Sequence, residues 1–116
     1  MRLLIVDDNI DAADALTLLL KLNGHDTITV YNALDALQLS QTFAADVILL
    51  DIGLPDIDGY EVARRMRAAG ISCKLVALTG YGKPEDIQHA LDAGFDTHIT
   101  KPVDLEELEY ILEKYK

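Results

Sequence analysis

Short apolar runs alternate with segments of helical periodicity along the chain. The strand-like segments are residues 3–6, 25–30, 47–50, 74–78 and 97–100. The helix-like segments are residues 11–22 and 33–43 and three more that begin at Asp58, Pro84 and Asp104. Strict alternation of strands and helices is typical of a parallel sheet covered by helices on both faces. The pattern therefore predicts an α/β fold.

The polarity of the strands predicts their order in the sheet. The first and third strand-like segments are apolar throughout and the fourth is apolar after Lys74, as expected for strands buried on both faces. The second alternates Thr27 and Thr29 with apolar residues and the fifth is short and polar, which indicates half-exposed edge strands. Order 2-1-3-4-5 places both polar strands at the edges. We therefore predict a three-layer (βα)5 doubly wound parallel sheet, flavodoxin-like, with residues 1–116 as one domain.

Capping residues mark the expected helix ends. Asn32, Asp58 and Asp104 precede the second, third and fifth helices and have side chains that favour the N-cap position. Glu61 and Glu107 follow the two aspartates at the spacing of a capping box. Glycine is expected to end three helices, at Gly24, Gly70 and Gly94.

The chain is strongly acidic. Among its 116 residues, 20 are acidic and 10 are basic, which gives a formal net charge of −10. A surface of this sign disfavours direct binding to nucleic acid and to anionic membranes. The apolar runs are shorter than the roughly 20 residues of a membrane-spanning helix. Cys73 is the single cysteine and cannot form an internal disulfide, so we expect a cytoplasmic location.

Polar residues follow the inner strands and the fifth strand. Asp7 and Asp8 come after the first strand, Asp51 after the third, Thr79 after the fourth and Lys101 after the fifth. Because the carboxyl ends of parallel strands share one edge of the sheet, these side chains should converge. Carboxylates in such proximity raise one another's pKa unless a cation lies between them. Oxygen ligands without His or Cys favour Mg²⁺ over Zn²⁺.

This combination of groups suits phosphoryl transfer. A hard cation and Lys101 would offset charge on the phosphoryl oxygens, while Asp51 attacks in line and becomes an acyl phosphate. Each residue also has an ordinary interpretation when taken alone. The acidic pair could be charges at a helix N-terminus, Thr79 a turn residue and Lys101 a solvated charge. Their joint occurrence at the ends of the strands favours a functional site.

The chain resembles, from end to end, a response-regulator receiver domain of bacterial two-component signalling. The motifs that carry the resemblance are Asp7-Asp8, Asp51 in Asp-Ile-Gly-Leu-Pro-Asp-Ile-Asp-Gly, Thr79 in Ala-Leu-Thr-Gly and Lys101 in Thr-Lys-Pro. The resemblance implies that Asp51 accepts a phosphoryl group from a phosphohistidine of a sensor histidine kinase or a histidine phosphotransfer domain. It implies a switch that catalyses its own phosphorylation and dephosphorylation, turns over no separate substrate, and signals to a downstream protein or a covalently linked domain.

The resemblance also assigns individual roles. The metal ligands that it implies are Asp8, Asp51 and the backbone carbonyl of Gly53, with Asp7 assisting through water. The expected ion is Mg²⁺, with Mn²⁺ as a substitute. Thr79 and Lys101 would hold the phosphate oxygens, and the Lys101–Pro102 peptide bond would be cis.

Two further roles concern the phosphorylated state. The switch would combine Thr79 with the residue three positions before the lysine, where many family members have Tyr or Phe and this chain has His98. An uncoupled histidine on an edge strand is the alternative. Gly53 and Tyr81 lie two positions after Asp51 and Thr79, and they would influence the lifetime of the phosphoryl group because an attacking water passes them.

Three other classes of protein share part of this pattern. A haloacid-dehalogenase-type phosphatase needs an aspartate two residues after its nucleophile, where this chain has Gly53 after Asp51 and Asn9 after Asp7. A flavin-binding module needs a Ser/Thr/Gly phosphate loop after the first strand, and Asp7-Asp8-Asn9 would repel a phosphate. A receiver fold that signals by binding alone is disfavoured by the complete acidic site. Whether the receiver stands alone or belongs to a larger protein is left open.

The remaining polar and aromatic residues have ordinary interpretations. We expect Asp56 and Asp58 to be turn and cap residues rather than metal ligands. We expect His25 and His89 to lie on the surface, and Tyr60 to pack along its helix.

Overall fold

Strands and helices alternate as the apolar pattern predicts. The computed structural model describes residues 1–80 and 84–116. The strands are β1 (Arg2–Val6), β2 (Asp26–Val30), β3 (Val47–Asp51), β4 (Lys74–Thr79) and β5 (Thr97–Thr100). The helices are α1 (Ile10–Leu22), α2 (Ala33–Ser40), α3 (Gly59–Ala68), α4 (Pro84–Ala93) and α5 (Leu105–Lys114).

The strands form a parallel sheet in the order β2-β1-β3-β4-β5. The predicted fold class is therefore confirmed, and the two more polar strands, β2 and β5, lie at the edges. The inner strands β1, β3 and β4 are buried, except for the first residue of β1 and the first residue of β4. Because these strands run parallel, the segments that follow them meet at one edge of the sheet.

Helices cover both faces of the sheet and complete two apolar cores. Successive side chains of a strand point to opposite faces, so Leu4 and Ile48 enter one core while Leu3 and Val47 enter the other. The first core includes residues of α2, α3 and α4, and the second includes residues of α1 and α5. Each fully buried aliphatic side chain contributes roughly 1.5–3 kcal/mol, and together they fix the sheet that holds the strand ends. Within the described parts of the chain, none of the helices is both long and apolar enough to cross a membrane.

The predicted capping residues are found at the helix ends. The side chains of Asn32, Asp58 and Asp104 accept hydrogen bonds from first-turn amides of α2, α3 and α5. Such bonds satisfy amides that have no partner within the helix. Glycines with positive φ follow α1, α3 and α4, at Gly24, Gly70 and Gly94.

Helix α2 is shorter than predicted. It ends at Ser40, with Gln41 as its C-cap, and not at residue 43. Phe43 extends the apolar periodicity of the sequence but lies in the following loop, where it is buried in the first core. The guanidinium of Arg2 lies 4.3 Å from the centroid of the Phe43 ring. Phe43 therefore fits the helical periodicity of the sequence although it lies beyond the end of the helix.

Strand β2 is a half-exposed edge strand, as predicted, but α1 covers one of its faces. Thr27 is buried and Thr29 is half-buried, because α1 covers the face on which they lie. The hydroxyl groups of Thr17 in α1 and Thr29 form a hydrogen bond. Ile28 and Val30 pack against the first core on the opposite face. The two threonines therefore face α1.

The predicted surface position of His25 is wrong. This residue is buried, and its Nε2 lies 3.0 Å from Oε1 of Glu109 in α5. Its Nδ1 lies 3.3 Å from the amino group of Met1. Both partners are distant in sequence, so local polarity gives no indication of them. His89 is exposed, as predicted, and its ring stacks on Tyr60 with 3.8 Å between the ring centroids.

Candidate functional site

Three carboxylates converge at the carboxyl edge of the sheet. Asp7 and Asp8 follow β1, and Asp51 is the last residue of β3. One oxygen from each side chain lies within 4.8 Å of the other two. Asp7 and Asp51 are only 5% and 6% exposed, whereas Asp8 is open to solvent. Buried carboxylates at this separation need a positive charge nearby.

Lys101 supplies part of that positive charge. Its Nζ lies 2.8 Å from Oδ2 of Asp51 and 3.1 Å from Oδ2 of Asp7. Burial lowers the pKa of Lys101, but the interactions with Asp51 and Asp7 outweigh this effect and leave the pKa above its usual value. The lysine is therefore held as a cation that bridges two carboxylates.

Burial affects the carboxyl group of Asp7 more than its contact with Lys101 does. Burial raises the pKa of Asp7 above its usual value, and the hydrogen bonds from the Asn9 amide and from Lys101 offset this only in part. A second cation among the carboxylates would favour their ionised forms. The oxygen-only cluster of Asp7, Asp8 and Asp51 therefore fits a hard metal ion.

The backbone fixes the orientation of the two buried carboxylates. Oδ1 of Asp7 accepts a hydrogen bond from the amide of Asn9, and Oδ1 of Asp51 accepts one from the amide of Gly53, both at 3.0 Å. Hydrogen bonds of this kind, to the backbone two residues further on, form Asx turns. The other oxygen of each side chain contacts Lys101. Each carboxylate is therefore oriented by its own loop.

Thr79 contributes a buried hydroxyl group at the end of β4. The residue ends β4 and is buried, and its Oγ1 has no hydrogen-bond partner among the residues that the structure describes. Leaving such a group unsatisfied costs about 1–3 kcal/mol. Thr79 lines an open cavity of about 450 Å³ together with Asp51, Gly53 and Lys101. An oxyanion in this cavity could accept a hydrogen bond from the Thr79 hydroxyl.

The end of β5 is tied directly to the end of β4. The amide of Lys101 donates a hydrogen bond to the carbonyl of Thr79 at 2.7 Å. The Lys101–Pro102 peptide bond is cis, as the resemblance implies. The side chains of Lys101 and Thr79 both line the same cavity.

His98 lies outside the acidic cluster. It is half-buried in β5 and pairs in register with Ala77, two residues before Thr79. Alternate residues of a strand point to the same face, and paired residues of parallel strands share a face. His98 and Thr79 therefore lie on the same face of the sheet. The switch role of His98 stays a prediction.

Of the two residues expected to influence the lifetime of the phosphoryl group, the described part of the chain includes Gly53. Gly53 is exposed and lines the cavity beside Asp51. Tyr81 lies outside the described residues. The influence of both on the lifetime stays a prediction.

Sequence reasoning missed two polar side chains that line the cavity. Tyr60 and Asp86 contribute to its wall, in the first turns of α3 and α4. We expected Tyr60 only to pack along its helix. The available signal was its position directly after Asp58 and Gly59, because helices that follow inner strands begin at the edge of the sheet where the carboxylates meet.

The comparisons with known proteins agree with the fold and with the acidic cluster. The family model of the response regulator receiver domain matches residues 3–113. Sporulation initiation phosphotransferase F of Bacillus subtilis is 32% identical over 114 residues, which span 98% of this chain and 92% of that protein. A CheY-like response regulator receiver domain protein from Methanospirillum hungatei superposes with a TM-score of 0.89 at 32% identity, covering 98% of this chain and 92% of that chain. The receiver domain of a sensor histidine kinase from Pseudomonas aeruginosa, solved with magnesium coordinated in its active-site cleft, has a TM-score of 0.88 at 29% identity, covering 98% and 95%.

The chain belongs to the response regulator receiver domain family. It is a receiver domain of two-component signalling, a class of switch whose function is phosphorylation on an aspartate. Receiver domains bind Mg²⁺ at an acidic pocket, and response regulators interact with histidine kinases and downstream effectors.

Proposed function

We propose that residues 1–116 form one receiver domain in which Asp51 is the phosphoacceptor. The observation that carries this proposal is the ion-paired cluster, in which Lys101 bridges Asp51 and Asp7. The solvent-exposed side chain of Asp8 lies beside them. Asp51 lines the cavity that Thr79 also lines, and the hydroxyl of Thr79 has no partner within residues 1–80 and 84–116. A carboxylate, a lysine and a hydroxyl around one cavity are the groups that phosphoryl transfer to an aspartate requires.

We propose Asp8, Asp51 and the carbonyl of Gly53 as the metal ligands, with Asp7 assisting through water. The donors of the cluster are carboxylate oxygens, which favour Mg²⁺, with Mn²⁺ as its substitute. The raised pKa of Asp7, caused by burial, supports the need for this added positive charge. When bound, Mg²⁺ would neutralise charge on the phosphoryl oxygens.

The chain's own residues then have distinct tasks. A carboxylate oxygen of Asp51 forms a bond to phosphorus as the P–N bond of the donor phosphohistidine breaks, and the imidazole leaves with the electron pair. Lys101 pairs with the phosphoryl oxygens, and the Thr79 hydroxyl donates a hydrogen bond to one of them. The domain thus catalyses its own phosphorylation and the later hydrolysis of the acyl phosphate, and it turns over no separate substrate.

The proposed partners follow from this chemistry and from the charge of the chain. The donor is a sensor histidine kinase or a histidine phosphotransfer domain, and the signal passes to a downstream protein or a covalently linked domain. The net charge of −10 supports a function without direct contact to nucleic acid or membrane. The single cysteine, Cys73, supports a cytoplasmic location.

Replacement of Asp8 by Asn is expected to weaken Mg²⁺ binding by at least about tenfold, because even the loss of an outer-shell partner commonly costs that much. Phosphorylation by acetyl phosphate at low Mg²⁺ should slow in parallel. The control is Asp86→Asn, which removes the same charge from an aspartate that lines the cavity beside Asp51 and lies outside the cluster. Titration of Mg²⁺ by NMR measures the affinities of both variants. Equal losses in the two variants would place the metal elsewhere.

We further propose that Thr79 and His98 form the switch and that Lys101 couples them to the phosphoryl group. If Thr79 moves toward a phosphoryl oxygen, space opens on the face that it shares with His98, whose neighbour in β4 is the small Ala77. In the wild type, beryllofluoride with excess Mg²⁺ should therefore shift the ring resonances of His98. Lys101→Ala should lose this shift. The control is Lys74→Ala, which should retain it, because Lys74 begins β4 and lies at the opposite end of that strand from Thr79.

Heteronuclear spectra of the His98 ring decide between the switch and an uncoupled edge-strand histidine. An unchanged His98 ring in the activated wild type would remove His98 from the switch. A full shift in the Lys101→Ala variant would show that Lys101 is not needed for the response.

A further inference from the structure

The loop between β3 and α3 caps two helices at once. Asp58 caps the helix that follows it, through the amide of Glu61. Asp56 instead reaches the N-terminus of α2, which lies more than twenty residues earlier in the chain. Oδ1 and Oδ2 of Asp56 lie 3.1 and 3.0 Å from the amide of Ala33, and Oδ2 lies 3.2 Å from the amide of Leu34. The loop is therefore bound to a helix outside its own strand–helix unit.

The N-terminus of α2 is a firm anchor for this carboxylate. Ala33 and Ala36 are fully buried in the first core, so the first turn of the helix cannot shift freely. Amides at a helix N-terminus are unpaired within the helix and favour a negative charge. Desolvation raises the pKa of Asp56, but the hydrogen bonds from Ala33 and Leu34 outweigh it and hold the pKa below its usual value. Asp56 is therefore bound as an ionised group.

The same loop carries Gly53, the residue whose carbonyl we assign to the metal. Gly53 has no side chain and a wide choice of backbone conformations, so its carbonyl direction depends on what holds the chain on either side. On the upstream side, its amide is bound to Asp51. On the downstream side, Leu54 is buried and the ring of Pro55 fixes the φ angle of that residue. The backbone between Gly53 and Asp56 is therefore restricted.

We propose that Asp56 is a positioning residue of the metal site, which holds the Gly53 carbonyl in place by binding the loop to the N-terminus of α2. The inference rests on the proposed function, since it takes Gly53 as a ligand. It gives Asp56 no contact with the metal or with the phosphoryl group. Its effect is on how well the loop is ordered before the metal binds.

A matched pair of variants tests this role. Asp56→Ala and Asn32→Ala each remove a cap from the same end of α2, since Asn32 accepts a hydrogen bond from the amide of Asp35 at 2.8 Å. Among the hydrogen bonds of the described residues, only those of Asp56 connect that end to the Gly53 loop. We expect Asp56→Ala to bind Mg²⁺ about tenfold more weakly, the lower end of the effect typical of groups that support a metal ligand. We expect Asn32→Ala to bind Mg²⁺ as the wild type does.

Two further readouts separate positioning from general destabilisation. In the metal-free protein, the exchange rate of the Gly53 amide, measured by NMR, should rise in Asp56→Ala and stay unchanged in Asn32→Ala. Phosphorylation by acetyl phosphate should slow in Asp56→Ala at low Mg²⁺ and recover at saturating Mg²⁺. Asp56→Asn keeps one acceptor oxygen and should fall between Asp56→Ala and the wild type.

The outcomes distinguish this inference from the proposed function. If Asp8→Asn loses Mg²⁺ while Asp56→Ala binds it as tightly as the wild type does, the metal site stands and the positioning role is overturned. Equal losses of affinity in Asp56→Ala and Asn32→Ala would assign the effect to helix stability and would also overturn it. If Asp8→Asn binds Mg²⁺ normally, the proposed metal site itself fails.

Discussion

Asp51→Asn is expected to take up no phosphoryl group. The amide is close to the carboxylate in shape, and its oxygen can still accept the hydrogen bond that Asp51 receives from the Gly53 amide. It is not a nucleophile toward phosphorus, because its lone pairs are less available and it carries no charge. After incubation with acetyl phosphate and Mg²⁺, intact-mass analysis should find one acid-stable, base-labile phosphoryl group on the wild type. The same treatment should leave Asp51→Asn unmodified.

The informative control for this experiment is Asp86→Asn, which loses the same charge from the wall of the same cavity. This variant should be phosphorylated to the wild-type extent. Full modification of Asp51→Asn, or loss of modification in both variants, would remove Asp51 from the role of acceptor. Peptide mapping of the wild-type adduct, after reduction of the acyl phosphate with borohydride, would then identify the residue that carries it.

The sheet and the meeting point of its strand ends could be predicted because both follow from patterns along the sequence. The apolar run of β3 marks a buried strand, and Asp51 ends it. Parallel strands then bring Asp7, Thr79 and Lys101 to the same edge without knowledge of any contact. The end of α2 could not be predicted in the same way, because Phe43 continues the apolar periodicity while its burial is completed by Arg2 from a distant segment.

Contacts between residues distant in sequence, in the site and elsewhere in the fold, could not be predicted from the pattern. The burial of His25 depends on Glu109, which lies 84 positions away. The hydrogen bonds of Asp56 to α2 depend on the β3–α3 loop lying beside the N-terminus of that helix in the folded chain. The chain order predicted that Lys101 lies near Asp51, but not that it bridges Asp51 and Asp7. These details depend on distances that only the packed molecule defines.

Gly53 in the β3–α3 loop and Gly59 at the start of α3 differ in a way that only the packed molecule shows, and they give the second large expected effect. A Cβ atom added at Gly59 would lie 2.5 Å from Cα of Ile52 and 2.6 Å from the backbone oxygen of Asp51. Both of these neighbours are backbone atoms, so no side chain can rotate to make room. Overpacking of a close contact costs typically 1–3 kcal/mol, and we expect Gly59→Ala to lower the free energy of unfolding by about 3 kcal/mol. Urea denaturation measures this loss.

Gly53→Ala is the matched control for Gly59→Ala, because it adds the same methyl group to the loop that leads to α3. A Cβ atom at Gly53 would lie 3.7 Å from Oδ1 of Asp51, an ordinary contact distance, and the φ of Gly53 is not positive. The free energy of unfolding of this variant should stay within about 0.5 kcal/mol of the wild type or rise slightly, since alanine restricts the unfolded chain. Gly59→Ala displaces α3 from the end of β3, so it should also weaken Mg²⁺ binding. Equal stability of the two variants would contradict the close approach of Gly59 to the phosphoacceptor strand.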